Sequence, residues 1–361
     1  MKLLPPNIKK YDNKGRQSNI EILRILSMIF VLTLHYIPTR LMPDAETIHT
    51  NFNEFLINME LRSIAFVGVN CFILISGFFG ISWKLKSFSN LIYRVLFWSF
   101  VAFIIIYIIT PLVFDQPFIY PGEVLSNIWT LRWFIGAYLL LYLFAPVLNS
   151  FINNTTQKEL GGFLLAFYIT STIFGWILKS HEFNEGMSMI HLSGLYFIGA
   201  YLKRYKLKIL QFKALIDLAI YLLLGLILLI CGSAAYYVGF TKSIYGYTNP
   251  LVVIQSVYLF LFFSKLKLNN IKIVNLFAAS AFSVYLFHTD ICCRPLYTKI
   301  SNDINDQGIL LSLPLVLLFF IGIFTICVAV DWIGNFIFNY LFNNLVKRSD
   351  LSKSNSGISA T

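Results

Sequence analysis

Apolar runs of about 20 residues, the length that crosses a bilayer as a helix, recur along nearly the whole 361-residue chain. Hydrophobic residues make up 57% of the sequence and charged residues 12%, whereas soluble domains contain about 25% charged residues. The runs lack the short alternating pattern of an outer-membrane barrel. The sequence therefore predicts an all-α, polytopic membrane protein.

The lengths of these runs predict about ten transmembrane helices. They cover residues 19–40, 61–81, 89–114, 131–151, 159–179, 188–202, 214–238, 247–264, 275–297 and 309–341. We expect an N-terminal tail over residues 1–18, a transmembrane domain over 19–343 and a tail over 344–361. The last tail is rich in serine, which is typical of disordered segments.

The net charge of +11 is distributed unevenly along the chain. On alternately crossing segments, most Lys and Arg residues fall on the side that also holds both termini, which is the positive-inside bias. We therefore expect both termini in the cytoplasm and no nucleic-acid partner. The basic connections at 203–213 and 265–272 are interpreted as topology determinants, with binding of anionic head groups or ligand phosphates as the alternative.

The first apolar run, residues 20–38, contains Glu21, Arg24 and His35. Arg24 and His35 are eleven positions apart, so at about 100° per residue they point the same way, roughly 16 Å apart along the axis. Ionisable side chains inside a membrane usually mark a pathway or a reactive site. Neutral His35 is a candidate general base. Arg24 either binds an anionic group or pairs with Glu21.

Polar side chains in other segments are candidates to join His35. His288 lies midway along the ninth predicted segment, and Asp290 and Asn70 are expected at a similar depth. Asp290 and Arg294 are four positions apart, so on a continuous helix they can pair with each other. The sequence leaves the partner of His35 open.

Basic and aromatic residues lie at the ends of two predicted segments, and each group has two possible roles. Arg94, at the inner end of the third segment, either binds a phosphate or snorkels to the interface. Arg132 and Trp133, at the start of the fourth, either anchor the helix at the interface or line a sugar site. The chain has no Gly-rich phosphate loop, HExxH, CxxC pair or GxSxG, and we predict no metal site.

The first run, NIEILRILSMIFVLTLHY, resembles the first-helix signature of the acyltransferase-3 family. This family comprises bacterial membrane proteins that transfer acyl groups, usually acetyl, to cell-surface carbohydrates. Its signature places a histidine eleven positions after an arginine, as His35 follows Arg24. Similar stretches follow in the family's order: FILISGFFG, RWFIGAYLLLYLFAPVLN, LYFIGAYLKRY and FSVYLFHTD. The likeness covers residues 16–331 and is closest to the short members without an appended esterase-like domain.

The resemblance implies that His35 is the essential catalytic histidine, that Arg24 supports the site and that acyl-CoA is the donor. Acetyl-CoA is the donor implied by default, and no permanently bound cofactor is expected. The candidate residues divide by role: His35, Arg24, Glu21 and His288 for catalysis; Arg24, Arg94, Lys84 and Lys86 for the donor; Asn70, Arg132, Trp133 and Asp290 for the acceptor. Lys84, Lys86 and Arg94 occupy the region of the family's cytoplasmic arginine motif.

The resemblance further implies a carbohydrate acceptor, such as lipopolysaccharide, capsule or exopolysaccharide. We expect the protein in the inner membrane of a bacterium, in contact with its lipids. The acceptor hydroxyl, the acyl group and the oligomeric state are left open by the sequence. The alternative function is a transporter or flippase for a glycan or small anion, in which Arg24 and His35 line the pathway.

Overall fold

The computed structural model of the chain describes residues 16–36, 52–113, 132–205, 207–238, 244–307 and 309–356. Regular structure within these ranges is helical, without β-strands. Most of the predicted N-terminal tail, residues 1–15, lies outside them, as do residues 37–40 of the first predicted segment. The α-helices are, in chain order, α1 (Ser18–Tyr36), α2 (Phe52–Ala65), α3 (Gly68–Phe79), α4 (Leu85–Val113), α5 (Trp133–Asn154), α6 (Gln157–Thr170), α7 (Met189–Arg204), α8 (Ala214–Tyr237), α9 (Pro250–Lys265), α10 (Lys272–Ala279), α11 (Ala281–His288), α12 (Arg294–Asn305) and α13 (Ile309–Ser356).

Seven helical stretches among the described residues are long and apolar enough to cross a membrane. They are Ser18–Tyr36, Phe52–Phe79, Leu85–Ile109, Trp133–Asn154, Gln157–Ile177, Ala214–Tyr237 and Leu311–Asn344. Two further apolar stretches, Pro250–Lys265 and Lys272–His288, are shorter. The predicted all-α membrane architecture is confirmed, whereas the count of about ten spans is not. The cytoplasmic location of both termini stays a prediction.

The ninth predicted segment, residues 275–297, is not one continuous helix. It is divided into α10 and α11, which meet at Ser280, and a turn at 289–293 then leads into α12. Asp290 therefore lies in a turn, and the expectation that it shares a helical face with Arg294 is wrong. The last helix, α13, continues to Ser356 and so enters the range expected to be disordered.

Helix α1 occupies the centre of the molecule, in contact with α2, α3, α9, α10, α11 and α12. Polar groups fix both of its ends. Asn19 Nδ2 donates to the carbonyl oxygen of Phe263 at 3.0 Å, and the backbone N–H of Ile271 donates to Ser18 Oγ at 2.7 Å. At the other end, the Tyr36 hydroxyl donates to Asn305. These contacts set the position of α1 along its axis, and with it the positions of Arg24 and His35.

Glycines allow α3 and α7 to approach each other at backbone distance. A Cβ added at Gly77 would overlap the carbonyl of Tyr196, and one added at Gly199 would overlap that of Leu74 and lie 2.7 Å from the backbone nitrogen of Phe78. Small residues at helix interfaces are typical of membrane bundles, where van der Waals packing drives association.

We expect Gly199→Ala to lower the thermal unfolding midpoint, because overpacking a tight interface costs about 1–3 kcal/mol. The measurement is unfolding in detergent followed by circular dichroism. Gly322→Ala on α13 is the matched control, since nothing lies within 4 Å of its added Cβ. Equal midpoints for the two variants would contradict the close approach of α3 and α7.

Candidate active site

The structure brings together two histidines that are far apart in the sequence. His35 Nδ1, near the end of α1, lies 2.9 Å from His288 Nε2, at the end of α11. Their ring centroids are 5.1 Å apart. Residue His35 is partly open to solvent, whereas His288 is 2% exposed. His35 is therefore the member of the pair that can meet a substrate.

Hydrogen bonds assign the protons of this pair. His288 Nδ1 lies 2.6 Å from the carbonyl oxygen of Val284, one turn earlier on α11. Because a carbonyl can only accept, His288 Nδ1 carries the proton and His288 Nε2 carries a lone pair. His35 Nδ1 must then donate to His288, which leaves His35 Nε2 unprotonated in the neutral pair. The arrangement leaves a lone pair on His35 Nε2 that can accept a proton.

Helix α12 lies beside the pair. The Tyr297 hydroxyl donates to the carbonyl oxygen of Leu32 at 2.8 Å, and its ring centroid is 5.6 Å from that of His288. The contact of Tyr36 with Asn305 joins the end of α1 to the end of α12. Sequence reasoning missed Tyr297, because a tyrosine at the end of a predicted span has no distinguishing local signal.

Arg132 holds the turn that follows His288. Its Nη1 donates to the carbonyl oxygen of Leu286 at 2.7 Å and to Thr289 Oγ1 at 3.3 Å, and lies 3.4 Å from a carboxylate oxygen of Asp290. Asp290 thus pairs with Arg132, which corrects the predicted pair with Arg294. Both residues were expected in the acceptor site, and the structure places them next to the histidine pair.

Arg24 and Glu21 lie on α1 toward its first end. Arg24 Nε is 3.5 Å from Glu21 Oε2, so the two side chains form an ion pair. The Arg24 side chain is 32% exposed and that of Glu21 only 9%. The guanidinium is therefore paired on one side and accessible on the other, which leaves room for an anionic ligand.

Arg94 belongs to a buried network. Its Nη2 donates to Asp331 Oδ2 and to Ser283 Oγ, each at 2.7 Å. Trp98 Nε1 and Ser283 Oγ donate to the other Asp331 oxygen at 2.9 and 2.6 Å. This network joins α4, α11 and α13, and it lends no support to the predicted contact of Arg94 with a donor phosphate.

Lys84 and Lys86, the remaining donor candidates, are exposed at the start of α4. Lys86 Nζ lies 5.4 Å from the ring centroid of Phe342 on α13, a distance at which an ammonium is attracted to an aromatic face. Both ammonium groups remain open to solvent, so they are available to an anionic ligand.

The other two acceptor candidates contact a different part of the molecule. Asn70 Oδ1 lies 3.3 Å from Nε2 of the buried His191, and the Trp133 ring is 5.6 Å from that of Tyr247. Sequence reasoning missed His191, although a histidine within the predicted segment 188–202 satisfies the same intramembrane criterion as His35 and His288.

A solvent-accessible histidine whose Nε2 carries a lone pair, and which a second histidine orients, is suited to remove a proton from a hydroxyl or to act as a nucleophile. The chain has no significant match among curated proteins or among solved structures. A family model described as an acyltransferase domain, Acyl_transf_3, matches residues 17–332, nearly the whole chain. The chain therefore belongs to the acyltransferase-3 family and is a membrane acyltransferase.

Proposed function

We propose that the protein is an O-acetyltransferase that moves an acetyl group from cytoplasmic acetyl-CoA to a hydroxyl of a cell-surface or exported carbohydrate. The carrying observation is the His35–His288 pair at 2.9 Å within the matched domain. We place the protein in the cytoplasmic membrane of a bacterium. Lipopolysaccharide, capsule and exopolysaccharide are the candidate acceptors.

The transfer step follows from the protons of the pair. His35 Nε2 takes the proton of the acceptor hydroxyl while its oxygen attacks the thioester carbonyl. The C–S bond breaks, and the CoA sulfur receives the proton from His35. The products are an ester and free CoA. In the covalent variant, His35 Nε2 attacks the thioester carbonyl, the C–S bond breaks and CoA leaves as its thiolate. The acceptor hydroxyl then attacks the acyl-imidazole, which releases His35, and the hydroxyl proton passes to the CoA sulfur.

The donor side of the proposal rests on helix α1. Arg24 lies roughly 16 Å from His35 along this helix, which is comparable to the length of the pantetheine arm of CoA. The exposed edge of Arg24, with Lys84 and Lys86, would hold the phosphates while the thioester reaches His35. On the acceptor side, the half-buried Arg132 and Trp133 lie at the start of α5, near the turn after His288.

We expect His35→Ala to abolish carbohydrate acetylation, because removing a general base costs about 10²–10⁴-fold in rate. Mass spectrometry of surface glycans from cells with the native chain or the variant measures both the acyl mass and the acceptor. His181→Ala, at an exposed loop residue, is the matched control and should leave the glycans acetylated. Full acetylation with His35→Ala would reject the proposal.

The effect of replacing His288 on the rate should depend on whether the new side chain can accept a hydrogen bond. The amide of His288→Gln can accept from His35 Nδ1 near the lost Nε2 position, whereas His288→Leu leaves that N–H unpaired, which costs about 1–3 kcal/mol. We therefore expect His288→Leu to lower kcat about tenfold to a hundredfold more than His288→Gln does. Equal rates for the two variants in a single-turnover assay would contradict the assigned protons.

Arg24 is tested by donor binding. We expect acetyl-CoA to raise the unfolding midpoint of the purified protein, and Arg24→Ala to weaken its affinity about tenfold or more, because hydrogen bonds to charged groups contribute about 1.5–3 kcal/mol. Glu21→Gln removes the ion pair but keeps the guanidinium, so it should retain donor binding. If both variants bind acetyl-CoA as the native chain does, Arg24 has only a structural role.

A further inference from the structure

A buried polar cluster lies at the start of α7, and the transfer step at His35 does not use it. His191 is 1% exposed, and its Nε2 lies 3.3 Å from Oδ1 of Asn70, which is fully buried on α3. The Nδ2 of Asn70 donates to the carbonyl oxygen of Tyr247 at 3.4 Å. This connects α3, α7 and the turn that precedes α9.

These hydrogen bonds decide which His191 nitrogen is protonated. Rotating the Asn70 amide would place its oxygen against the Tyr247 carbonyl, so Oδ1 is the atom that faces His191. Because Oδ1 accepts, His191 Nε2 carries the proton and Nδ1 presents a lone pair. No described residue donates to this Nδ1. A buried acceptor without a donor destabilises the protein, so it points to a donor that the described part of the chain does not supply.

Two buried hydroxyls without a hydrogen-bond partner in the described part of the chain belong to segments that pack together beside His191. Thr248 Oγ1 and Ser171 Oγ are buried and have no hydrogen-bond partner among the described residues. A Cβ at Gly186 would lie 3.3 Å from His191 Cδ2 and 3.2 Å from the Thr248 nitrogen. A Cβ at Gly175, one turn after Ser171, would lie 3.1 Å from Thr248 Cγ2. Three chain segments with unpaired polar atoms therefore converge here.

Aromatic rings border this cluster on the side of the histidine pair. Trp133 and Tyr247 are half-buried, with ring centroids 5.6 Å apart. Arg132, which precedes Trp133, bonds the carbonyl of Leu286 two residues before His288. A partly exposed aromatic face beside buried hydrogen-bonding groups suits a sugar, whose ring carbons stack on the face while its hydroxyls reach the polar atoms.

The backbone that covers the cluster adopts positive φ values, which residues other than glycine rarely take. Asn184 and Glu185 have φ of 44° and 52°, and Gly186 has φ of 94°. Residues Ser171–Ile177 form a π-helix, a feature frequent at functional sites. Such backbone persists where the surroundings impose it, and it clusters at ligand sites and moving segments.

We propose that His191, Asn70 and Thr248 form a second ligand site, in which His191 Nδ1 accepts a hydrogen bond from a hydroxyl of the acceptor sugar. Trp133 and Tyr247 support the sugar ring, and the loop ending at Gly186 moves to admit it. The site rests on the proposed carbohydrate acceptor. It makes His191 a residue that determines which sugars bind, separate from the reacting pair.

The test is binding of surface oligosaccharides, isolated from cells that carry the chain and freed of O-acyl groups with mild alkali. The full chain in lipid nanodiscs is titrated with this pool, and affinity is read from the rise in unfolding midpoint. We expect the native chain to bind this pool and His191→Phe to bind it about tenfold more weakly. His181→Phe, the same substitution at an exposed residue, should bind as the native chain does.

If His191→Phe does not fold, the test uses Thr248→Val instead, which keeps the shape of the side chain but removes its hydroxyl. We expect Thr248→Val to weaken oligosaccharide binding severalfold. Unchanged affinity in the folded variant, or no binding by the native chain, overturns the second site. Acyl transfer with an unchanged acceptor KM in His191→Phe overturns the site but leaves the proposed function standing. If the native chain binds the oligosaccharides, His191→Phe binds them more weakly, and the native chain transfers no acyl group, the second site is supported and the proposed function is rejected.

Discussion

Polar groups inside a bilayer have no water to bond with, so each must find a partner within the protein. This constraint explains the long-range pairs that join the helices: Arg94 with Asp331, Arg132 with Asp290 and Lys265 with Asp217. Each pair connects elements that are distant in sequence, and each neutralises a buried carboxylate that is expensive to leave unpaired. Buried polar atoms that have no partner among the described residues therefore indicate where a ligand can bind.

Hydrogen bonds assign the protons of the buried His191 and His288 in the same way. An oxygen that can only accept fixes the proton on one nitrogen, the Val284 carbonyl for His288 and the Asn70 amide for His191. The other nitrogen is then an acceptor. In His288 this acceptor is filled by His35, whereas in His191 it stays empty among the described residues. One histidine therefore orients a neighbour and the other is ready for a ligand.

Local sequence rules predicted the all-helical membrane architecture, because apolar runs of this length have a direct physical meaning. The roles of the ionisable residues within these runs stay predictions. Glu21 and Arg24 pair as a three-residue spacing permits. The rules failed where tertiary contacts prevail. Asp290 finds Arg132 rather than Arg294 because the helix ends at His288. No spacing within the sequence could reveal that His288 faces His35 or that Asn70 faces His191.

The interruption of the helix at Ser280 makes α11 a separate short helix that its neighbours in the sequence do not hold in line. This short helix is separated from α10 before it and from α12 after it, and arginines from other helices hold it near both ends. Arg94 on α4 contacts Ser283, and Arg132 at the start of α5 contacts the carbonyl of Leu286. Helices α4 and α5 therefore help to hold the helix that carries His288, while α1 carries His35. A shift of α4 or α5 would move the acceptor of the His35 N–H without any change in His35 itself.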